Sequence, residues 1–586
     1  MLHLELLAPA RNADIGIAAI DCGADAVYIG GPGYGARKDA GNSIDDIRTL
    51  CTHAHRFGAR VFLTVNTLIY DGEMEEVHSM MLKAQKAGVD AFIVQDETIM
   101  LWEDITVPIH ASTQCAIRTP ERARHFESLG CGRIVLEREL SLTRVRGIAE
   151  SVGCEVECFV HGALCVCYSG QCFLSEYLDG RSANRGECIQ ACRSRYDLMD
   201  SKGHILEKDK ALLSLKDLNL IRHLGELAEA GVCSFKIEGR LKNKSYVRNI
   251  VREYATALDN LVARHPDLYR RASHGTVREG FVPDPAKTFN RGYTELFLEG
   301  RRTRGWSSMD APNSLGEYVG KVVDIKHLDR YDMEIVLRPE PGVTPLSNGD
   351  GFAFIGKSGA VGLRGDVCNG NRIRCKHTEG LGKGVELYRN LDVAFERYID
   401  SQPCRRMLDV HLSLDICEGP ALEAHAVSED GRKLTVRSAV AEDTAHNSGR
   451  MLSMMQTALS RHEGIYRFVI DGLPEPGKAL PLLSSASLNS LRRRIAEELD
   501  TQSCLMTPLS QGNRTSSDIS GKELAEDIGR HTGELMRTKY CIRYELGICP
   551  VHQKSKQFGA LFLVNNGHRL ALGFDCARCE MTVKGA

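Results

Sequence analysis

The chain has 586 residues, of which 43% are hydrophobic and 26% are charged, and this balance excludes bulk disorder. Its length exceeds what one ordinary hydrophobic core organises, so several domains are expected. The formal net charge of −3 excludes a general electrostatic attraction to nucleic acid.

Any contact with RNA therefore has to come from local groups of basic residues. Three groups are candidates: Arg301, Arg302 and Arg304; Arg240, Lys242, Lys244, Arg248 and Arg252; and Arg492, Arg493 and Arg494. The alternative for each group is a solvated charged face.

The N-terminal residues MLHLELLAPARNADIG contain neither a basic flank before a long apolar run nor a small-residue cleavage pattern, so no signal peptide is expected. No stretch approaches the roughly 18 uninterrupted apolar residues of a membrane-spanning helix. We therefore expect a cytoplasmic protein with no membrane segment. Because cytosolic thiols are kept reduced, its 21 cysteines indicate metal binding rather than a disulfide framework.

Short apolar runs alternate with amphipathic helical stretches through the first 265 residues, which is typical of β-α units around a parallel sheet. Helical periodicity occurs at 43–57, 74–87, 120–129 and 142–152, and a glycine follows most of these stretches. Eight strands are predicted: Leu4–Ala10, Asp25–Gly30, Ala59–Asn66, Asp90–Asp96, Pro108–Gln114, Arg133–Glu139, Glu155–Gly162 and Ser234–Arg240. An open doubly wound sheet is the alternative, but eight consecutive units favour a closed (β/α)8 TIM-like barrel over residues 1–265.

Polar residues end these predicted strands, where the active sites of such barrels lie. We expect Gln95, Glu137, His161, Glu238 and Arg240 to form a catalytic chamber at the barrel mouth, because buried charges are costly unless they are paired. Structural ion pairs that close the rim are the alternative for each of them. Further polar residues at strand ends are Asn66, Asp96, Ser112, Gln114 and Arg138.

The segment after the seventh predicted strand carries the sequences HGALCVCYSGQC and SANRGECIQACR. Its candidate cofactor ligands are Cys165, Cys172, Cys188 and Cys192. Six residues lie between the first two cysteines, fifteen between the second and the third, and three between the last two. Four thiolates can hold an iron–sulfur cluster or a structural zinc ion, and the spacing alone does not decide between them. A position at the catalytic end of a barrel favours the cluster. Cys167 is a substitute ligand, whereas Cys154 and Cys158 are expected to be small buried hydrophobes.

The rest of the chain is predicted to form four segments. Residues 266–313 form a linker or extension of the barrel, and residues 314–400, with short strands broken by glycines and charged turns, form a small β-barrel. Residues 401–515 mix strands and helices in an α+β domain, and residues 516–586 form a cysteine-rich segment.

The last segment holds a second cysteine group, Cys541, Cys549, Cys576 and Cys579, whose last two members form a CxxC pair. We expect a structural zinc ion in a zinc-ribbon-like fold, because a segment this short has little core of its own. His552 could replace one ligand, and a redox-active CxxC is the minor alternative.

Several long motifs carry a family resemblance. The sequences ECFVHGALCVCYSGQC, NRGECIQACR, SLKDLN, SFKIEGRLKN and FNRGYTELF resemble the collagenase-like peptidase U-thirty-two family, from Glu5 to about Phe297. The resemblance implies an oxygen-independent hydroxylase acting on transfer RNA uridine, ribosomal RNA cytidine or ubiquinone precursors, with four cysteines that bind a 4Fe-4S cluster.

Within this family the chain looks most like the ribosomal RNA hydroxylase branch. Many relatives have a cysteine after KDL, but this chain has Asn219, so Cys192 is the expected fourth ligand and Cys233 a weaker option. The long C-terminal extension is also typical of that branch. The resemblance implies 5-hydroxycytidine formation in 23S ribosomal RNA, with prephenate as a small-molecule hydroxyl donor. Oligomeric state is not predicted.

Three alternatives stay open. A transfer RNA uridine hydroxylase would share the same barrel and cysteines. A peptidase follows from the family's older name, although neither HExxH nor GxSxG occurs in the sequence. A non-catalytic RNA-binding factor would need more basic charge than the chain has.

Overall fold

The computed structural model describes residues 1–36, 41–300, 303–356, 359–417, 420–475, 478–513, 533–555 and 558–586. Arg301 and Arg302 of the first basic group lie outside these residues. Within them, no helix has both the length and the apolar character needed to cross a membrane.

The N-terminal part forms the first seven strands of a parallel sheet. Their side chains are buried almost throughout, as expected for strands covered on both faces. The strands are β1 (Leu2–Ala10), β2 (Ala26–Gly30), β3 (Arg60–Val65), β4 (Ala91–Val94), β5 (Ile109–Ala111), β6 (Arg133–Val135) and β7 (Glu155–Gly162). The helices are α1 (Ala13–Asp21), α2 (Ile44–His55), α3 (Met74–Lys86), α4 (Pro120–Ser128) and α5 (Leu142–Ala149).

These helices begin where the sequence supplies capping residues. The Ser43 hydroxyl accepts the Asp46 amide and the Asp46 carboxylate accepts the Ser43 amide, which forms a capping box at α2. Thr119 caps α4, whose first residue is Pro120. Such caps fix each helix start relative to the strand before it.

The eighth barrel strand follows a long insertion. In chain order the elements are α6 (Leu174–Asp179), β8 (Tyr196–Asp200), β9 (Ile205–Leu215), β10 (Asp217–Asn219), α7 (Leu224–Glu229), β11 (Val232–Ile237) and α8 (Lys244–Arg264). Strand β11 pairs in parallel with both β1 and β7, so the sheet closes. The predicted (β/α)8 TIM-like barrel is confirmed. Its last strand ends at Ile237, which leaves Glu238 and Arg240 in the loop at the barrel mouth.

Four short strands follow: β12 (Tyr269–Arg271), β13 (Thr276–Glu279), β14 (Tyr293–Thr294) and β15 (Ser307–Met309). Strand β12 pairs with β1, β14 with β10, and β15 with β9. Residues 266–313 therefore add edge strands to neighbouring sheets.

Residues 314–391 fold around a core of their own. Their seven strands are β16 (Glu317–His327), β17 (Asp332–Pro339), β18 (Gly351–Gly356), β19 (Gly359–Arg364), β20 (Val367–Asn369), β21 (Arg372–Lys376) and β22 (Glu386–Leu391). They form one antiparallel sheet around Val319, Phe352 and Ile373. Among the described residues no pairing joins the end strands β19 and β20, so the closure of a small barrel stays a prediction.

The next region combines helices and strands: α9 (Val393–Ser401), β23 (Arg405–Cys417), β24 (Ala421–Ser428), β25 (Lys433–Arg437), α10 (Ser448–Leu459), β26 (His462–Glu463), β27 (Tyr466–Gly472) and α11 (Ser485–Thr501). The sheet order is β25-β24-β23-β27-β26, and β13 pairs with β23. The region thus has the α+β character that the sequence predicts.

The C-terminal elements are β28 (Glu534–Thr538), α12 (Ile542–Glu545), β29 (Leu561–Asn565), β30 (His568–Asp575) and β31 (Glu580–Gly585). They join the insertion after β7 in a single seven-stranded sheet of order β15-β9-β8-β29-β30-β31-β28. The core of the C-terminal segment is therefore shared with the insertion. A zinc-ribbon-like fold for this segment stays a prediction.

Candidate functional site

A pocket lies at the mouth of the barrel, between the carboxyl ends of its strands and the insertion that carries the first cysteine group. The barrel contributes Tyr28, Thr64, Asn66, Ser112, Arg138, Phe159, Lys236, Glu238 and Arg240 to its lining. The insertion contributes Cys165, Cys167, Ser169, Gly170, Cys172, Ser175, Asn184, Cys188 and Cys192. All four predicted cofactor ligands therefore share one pocket with strand-end polar residues.

The insertion is held against the barrel at a few defined points. Gly170 has a φ of +73°, and a Cβ atom there would lie 2.2 Å from the carbonyl oxygen of Gln114, so only glycine fits. Arg193, in the 3-10 turn Ala191–Arg193, donates to the Leu164 carbonyl at 2.7 Å and to Ser214 Oγ at 2.8 Å. These contacts hold the turn of Cys192 near the turn of Cys165.

The surrounding protein shifts the pKa values of the thiols. Cys165 is exposed by surface area, yet the protein atoms packed around it desolvate its thiol and raise its pKa, with a further contribution from Cys172 and Cys192; desolvation also raises the pKa of Cys192 to about 11. Cys172 differs, because a hydrogen bond from the Cys167 thiol lowers its pKa. Metal binding at such thiols releases protons, since the thiolate is the ligand.

The donor set fits an iron–sulfur cluster in chemistry and in location. Cys165, Cys172, Cys188 and Cys192 lie on turns and loops that line the pocket. Among the described residues, no three Cys, His, Asp or Glu side chains already converge at metal-binding distances. The support for a cluster is thus the shared position of the thiols rather than a preformed coordination geometry.

Charged side chains from the barrel form another part of the pocket lining, the charged wall. Arg138 pairs with Glu238 at 3.0 Å and lies over the Phe159 ring, with 3.7 Å between the guanidinium carbon and the ring centre. Arg240 donates to Thr64 Oγ1 at 2.6 Å. Lys236 donates to Glu157 at 2.7 Å; burial lowers its pKa, an effect that the Glu157 carboxylate opposes. Among the described lining residues, three cations and the single carboxylate Glu238 thus share the pocket with the thiols.

A buried ion network lies beneath this wall. Arg133 donates to Glu5 at 2.5 Å and to Glu157 at 3.1 Å, and Ser234 Oγ donates to Glu5 at 2.7 Å. Burial raises the pKa of Glu5, whereas for Glu157 the burial effect is outweighed by Lys236 and Arg133, and its pKa is lowered. The network satisfies buried charges inside the barrel and holds Lys236 in the pocket lining.

The five predicted catalytic residues separate into two groups. Glu238 and Arg240 line the pocket with the cysteines. Glu137, Gln95 and His161 are not among its lining residues. Glu137 is buried behind residues 163–173, the loop that carries Cys165, Cys167 and Cys172 and is called the cysteine loop below. There it pairs with Arg118 at 3.1 Å and accepts a hydrogen bond from the Ser169 amide at 3.0 Å.

The side chains of His161 and Gln95 do not line the pocket. A register shift between the β7 and β11 pairs Phe159–Lys236 and His161–Ile237 changes the alternation of β7, and the His161 ring packs among aromatic rings including Tyr254. Burial lowers the pKa of His161 to about 3. The side-chain oxygen of Gln95 is buried with no hydrogen-bond partner among the described residues. Their catalytic roles stay predictions.

Lys236, Thr64 and Met536 belong to the pocket but were not predicted as site residues. The sequence does indicate Lys236, because burying a lysine side chain inside an apolar barrel strand costs free energy unless its charge has a partner or a function there. Met536 has no such signal. It lies on β28, far from the other lining residues in the sequence, and its side chain is buried.

The second cysteine group also comes together. Cys541, Cys549, Cys576 and Cys579 line one small pocket with His552. His552 Nε2 lies 3.3 Å from Cys579 Sγ, and the His552 amide donates to Cys549 Sγ at 3.5 Å. The thiols suit zinc in type, and the zinc ion itself stays a prediction.

Comparison with known proteins identifies the family. Residues 11–308 match the profile of Peptidase family U32. The chain belongs to this family. The match ends before the small β-sheet, so the C-terminal half lies outside the profile.

Three relatives in this family are informative. The chain is 37% identical to the "23S rRNA 5-hydroxycytidine C2501 synthase" of Escherichia coli strain K12, across all of this chain and 94% of that protein. It is 33% identical to the "tRNA hydroxylation protein P1" of Bacillus subtilis strain 168, over 55% of this chain and 77% of the relative. It is also 34% identical to a protein of Porphyromonas gingivalis strain W83 named "Collagenase", over 56% of this chain and 81% of that protein.

Proposed function

We propose that this U32 family member is an oxygen-independent RNA hydroxylase that forms 5-hydroxycytidine in 23S ribosomal RNA. The observation that carries the proposal is the similarity to an rRNA 5-hydroxycytidine synthase across the whole chain, including the C-terminal half that the family profile does not match. The chain is accordingly an RNA-modifying enzyme. A ribosomal RNA substrate fits a cytoplasmic location.

A 4Fe-4S cluster held by Cys165, Cys172, Cys188 and Cys192 is part of the proposal. The four thiols line the same pocket as Arg138, Lys236 and Arg240. When bound, a cluster would supply electron transfer or Lewis-acid activation in that pocket. The charged residues of the lining would bind and orient the reactants.

The charged wall suits an anionic hydroxyl donor, and we propose prephenate in that role. Arg240 and Lys236 are held by Thr64 and Glu157, so their positive charges are positioned before a ligand arrives. Glu238 holds the Arg138 guanidinium in the lining, which fixes a third donor group. A carboxylate could accept bidentate hydrogen bonds from such an arginine.

The target base has to leave its stack to reach a pocket at the barrel mouth. Enzymes that modify bases generally extrude the nucleotide and read it inside the pocket. Asn66 and Ser112 line this pocket and hydrogen-bond each other at 3.2 Å, and they could read the polar edge of a pyrimidine.

Two alternative functions have specific observations behind them. The tRNA hydroxylation relatives favour a tRNA substrate, but the Bacillus subtilis relative matches 55% of this chain. A peptidase follows from the relative named Collagenase. The described lining residues of the pocket include no histidine, so a thiol–imidazole pair of the cysteine-protease type is not present there.

Mass spectrometry of nucleosides tests the proposal. In a bacterium that lacks its own 5-hydroxycytidine synthase gene, expression of this chain should restore 5-hydroxycytidine in the 23S rRNA fraction and leave the tRNA fraction unchanged. Cys154→Ala is the matched control for Cys188→Ala, because Cys154 lies next to β7 and outside the pocket lining. Restoration of a tRNA nucleoside alone would favour the tRNA alternative, and no restored nucleoside would refute RNA hydroxylation.

A further inference from the structure

Strand β28 lies directly against the first cysteine group. The Tyr168 amide donates to the Arg537 carbonyl at 3.0 Å, and the Phe173 amide donates to the Leu535 carbonyl at 2.8 Å. Tyr168 follows Cys167, and Phe173 follows Cys172. One edge of β28 thus binds the cysteine loop, while β28 also pairs with β31.

Side chains reinforce these backbone contacts. Arg537 pairs with Glu580 at 2.8 Å, and the Tyr168 hydroxyl donates to the other oxygen of Glu580 at 2.9 Å. The Arg118 guanidinium lies 4.2 Å from the centre of the Tyr168 ring and pairs with Glu137 beside the barrel strands. A continuous chain of contacts therefore runs from the barrel through Tyr168 to β28.

Met536 lies between the two carbonyl acceptors of β28 and lines the pocket. It is 1% exposed, and no other described residue of the C-terminal segment contributes to the lining. Because residues 11–308 match the family profile, Met536 stands outside the part of the chain that the profile matches. The wall that it forms can therefore differ between members that share the barrel and its cysteines.

From this geometry we propose that β28 is a specificity-determining element of the site, in which Met536 sets the wall of the pocket and the strand positions the cysteine loop. The substrate part of this inference rests on the proposed RNA hydroxylation, whereas the positioning part does not. A thioether is flexible and apolar, so it packs against the face of a base or of an apolar ring without competing for its polar edges.

Two methionine variants test the wall. Met536→Ala and Met581→Ala remove the same side chain from two buried positions of paired strands, but only Met536 lines the pocket. With 23S rRNA and prephenate as probes, we expect M536A to raise KM about tenfold or to change the ratio of 5-hydroxycytidine to 5-hydroxyuridine. M581A should keep the wild-type KM and product ratio, with a similar loss of thermal stability. Equal kinetics in both variants would overturn the specificity role.

Hydrogen exchange of the full-length protein tests the positioning role without any activity. Glu580→Ala and Glu534→Ala each remove one carboxylate partner of Arg537, but only Glu580 contacts Tyr168. We expect amides of residues 166–174 to exchange about tenfold faster in E580A than in E534A, as the loop loses one of its anchors. Equal exchange would refute the positioning role. If the wild-type protein hydroxylates no RNA, the proposed function fails, and the exchange comparison still decides the positioning role.

Discussion

The two cysteine groups contain the same kind of ligands in different surroundings. The first group shares a pocket at the carboxyl ends of the barrel strands with Arg138, Lys236 and Arg240. The second lines a much smaller pocket, whose other lining residues include Tyr544, Val551 and Phe574 and also Arg543, Asp575 and Glu580. Four thiols alone do not define a function. We propose a catalytic role for the first group, which lies at the barrel mouth with three cations in the same lining, and a structural role for the second.

The largest expected effect comes from the first group. Cys188→Ala should abolish RNA hydroxylation and lower the iron content of the anaerobically purified protein, because three thiolates leave one iron of the proposed cluster without its protein ligand. Iron and sulfide assays with a visible absorption spectrum measure the loss. A full iron content in C188A would contradict the assignment of Cys188 as a ligand.

The next largest effect concerns the ion network beneath the charged wall. Arg133→Met leaves Glu5 and Glu157 buried without their shared partner, which should cost about 3–5 kcal/mol of stability. Chemical denaturation followed by circular dichroism measures the change. The exposed pair Arg124–Glu121 supplies the control, since Arg124→Met should cost less than about 1 kcal/mol. Similar losses in both variants would show that the network does not support the barrel.

A smaller effect is expected from the second cysteine group. Cys576→Ala should lower the melting temperature by several degrees and leave hydroxylation measurable at lower temperature, because its proposed zinc is structural. Thermal melts with zinc analysis test this. If C576A lost activity at all temperatures while keeping its stability, the two groups would not differ in role as described.

A pH-dependent effect is expected at Glu139. Burial raises the pKa of this carboxyl to about 8, with a contribution from the neighbouring Glu137. Since its folded pKa is raised, the folded state binds the extra proton, and stability falls as pH rises from about 4.5 to about 8. Glu139→Gln should therefore gain stability over the wild type above pH 8 and lose this advantage near pH 4.5. Unfolding curves across this range, with the exposed Glu150→Gln as control, measure the difference.

The barrel and the first cysteine group were predictable because their signals are local. Apolar runs at regular intervals indicate the strands, and the four thiols lie within one loop. The sheet that joins Leu198 of β8 to Leu563 of β29 was not predictable, because pairing between distant segments leaves no nearby pattern. His161 shows a second limit. Its position at a strand end suggested the pocket, but one register shift in β7 directs its side chain toward Tyr254.

Reconstitution without oxygen tests the central claim most directly. The anaerobically purified chain is incubated with unmodified 23S rRNA and prephenate, and the digested RNA is analysed by mass spectrometry. We predict that one cytidine per rRNA gains a single oxygen atom with the wild-type protein and none does with Cys188→Ala. An unmodified rRNA with cluster-loaded wild-type protein, or equal modification by C188A, would contradict the account.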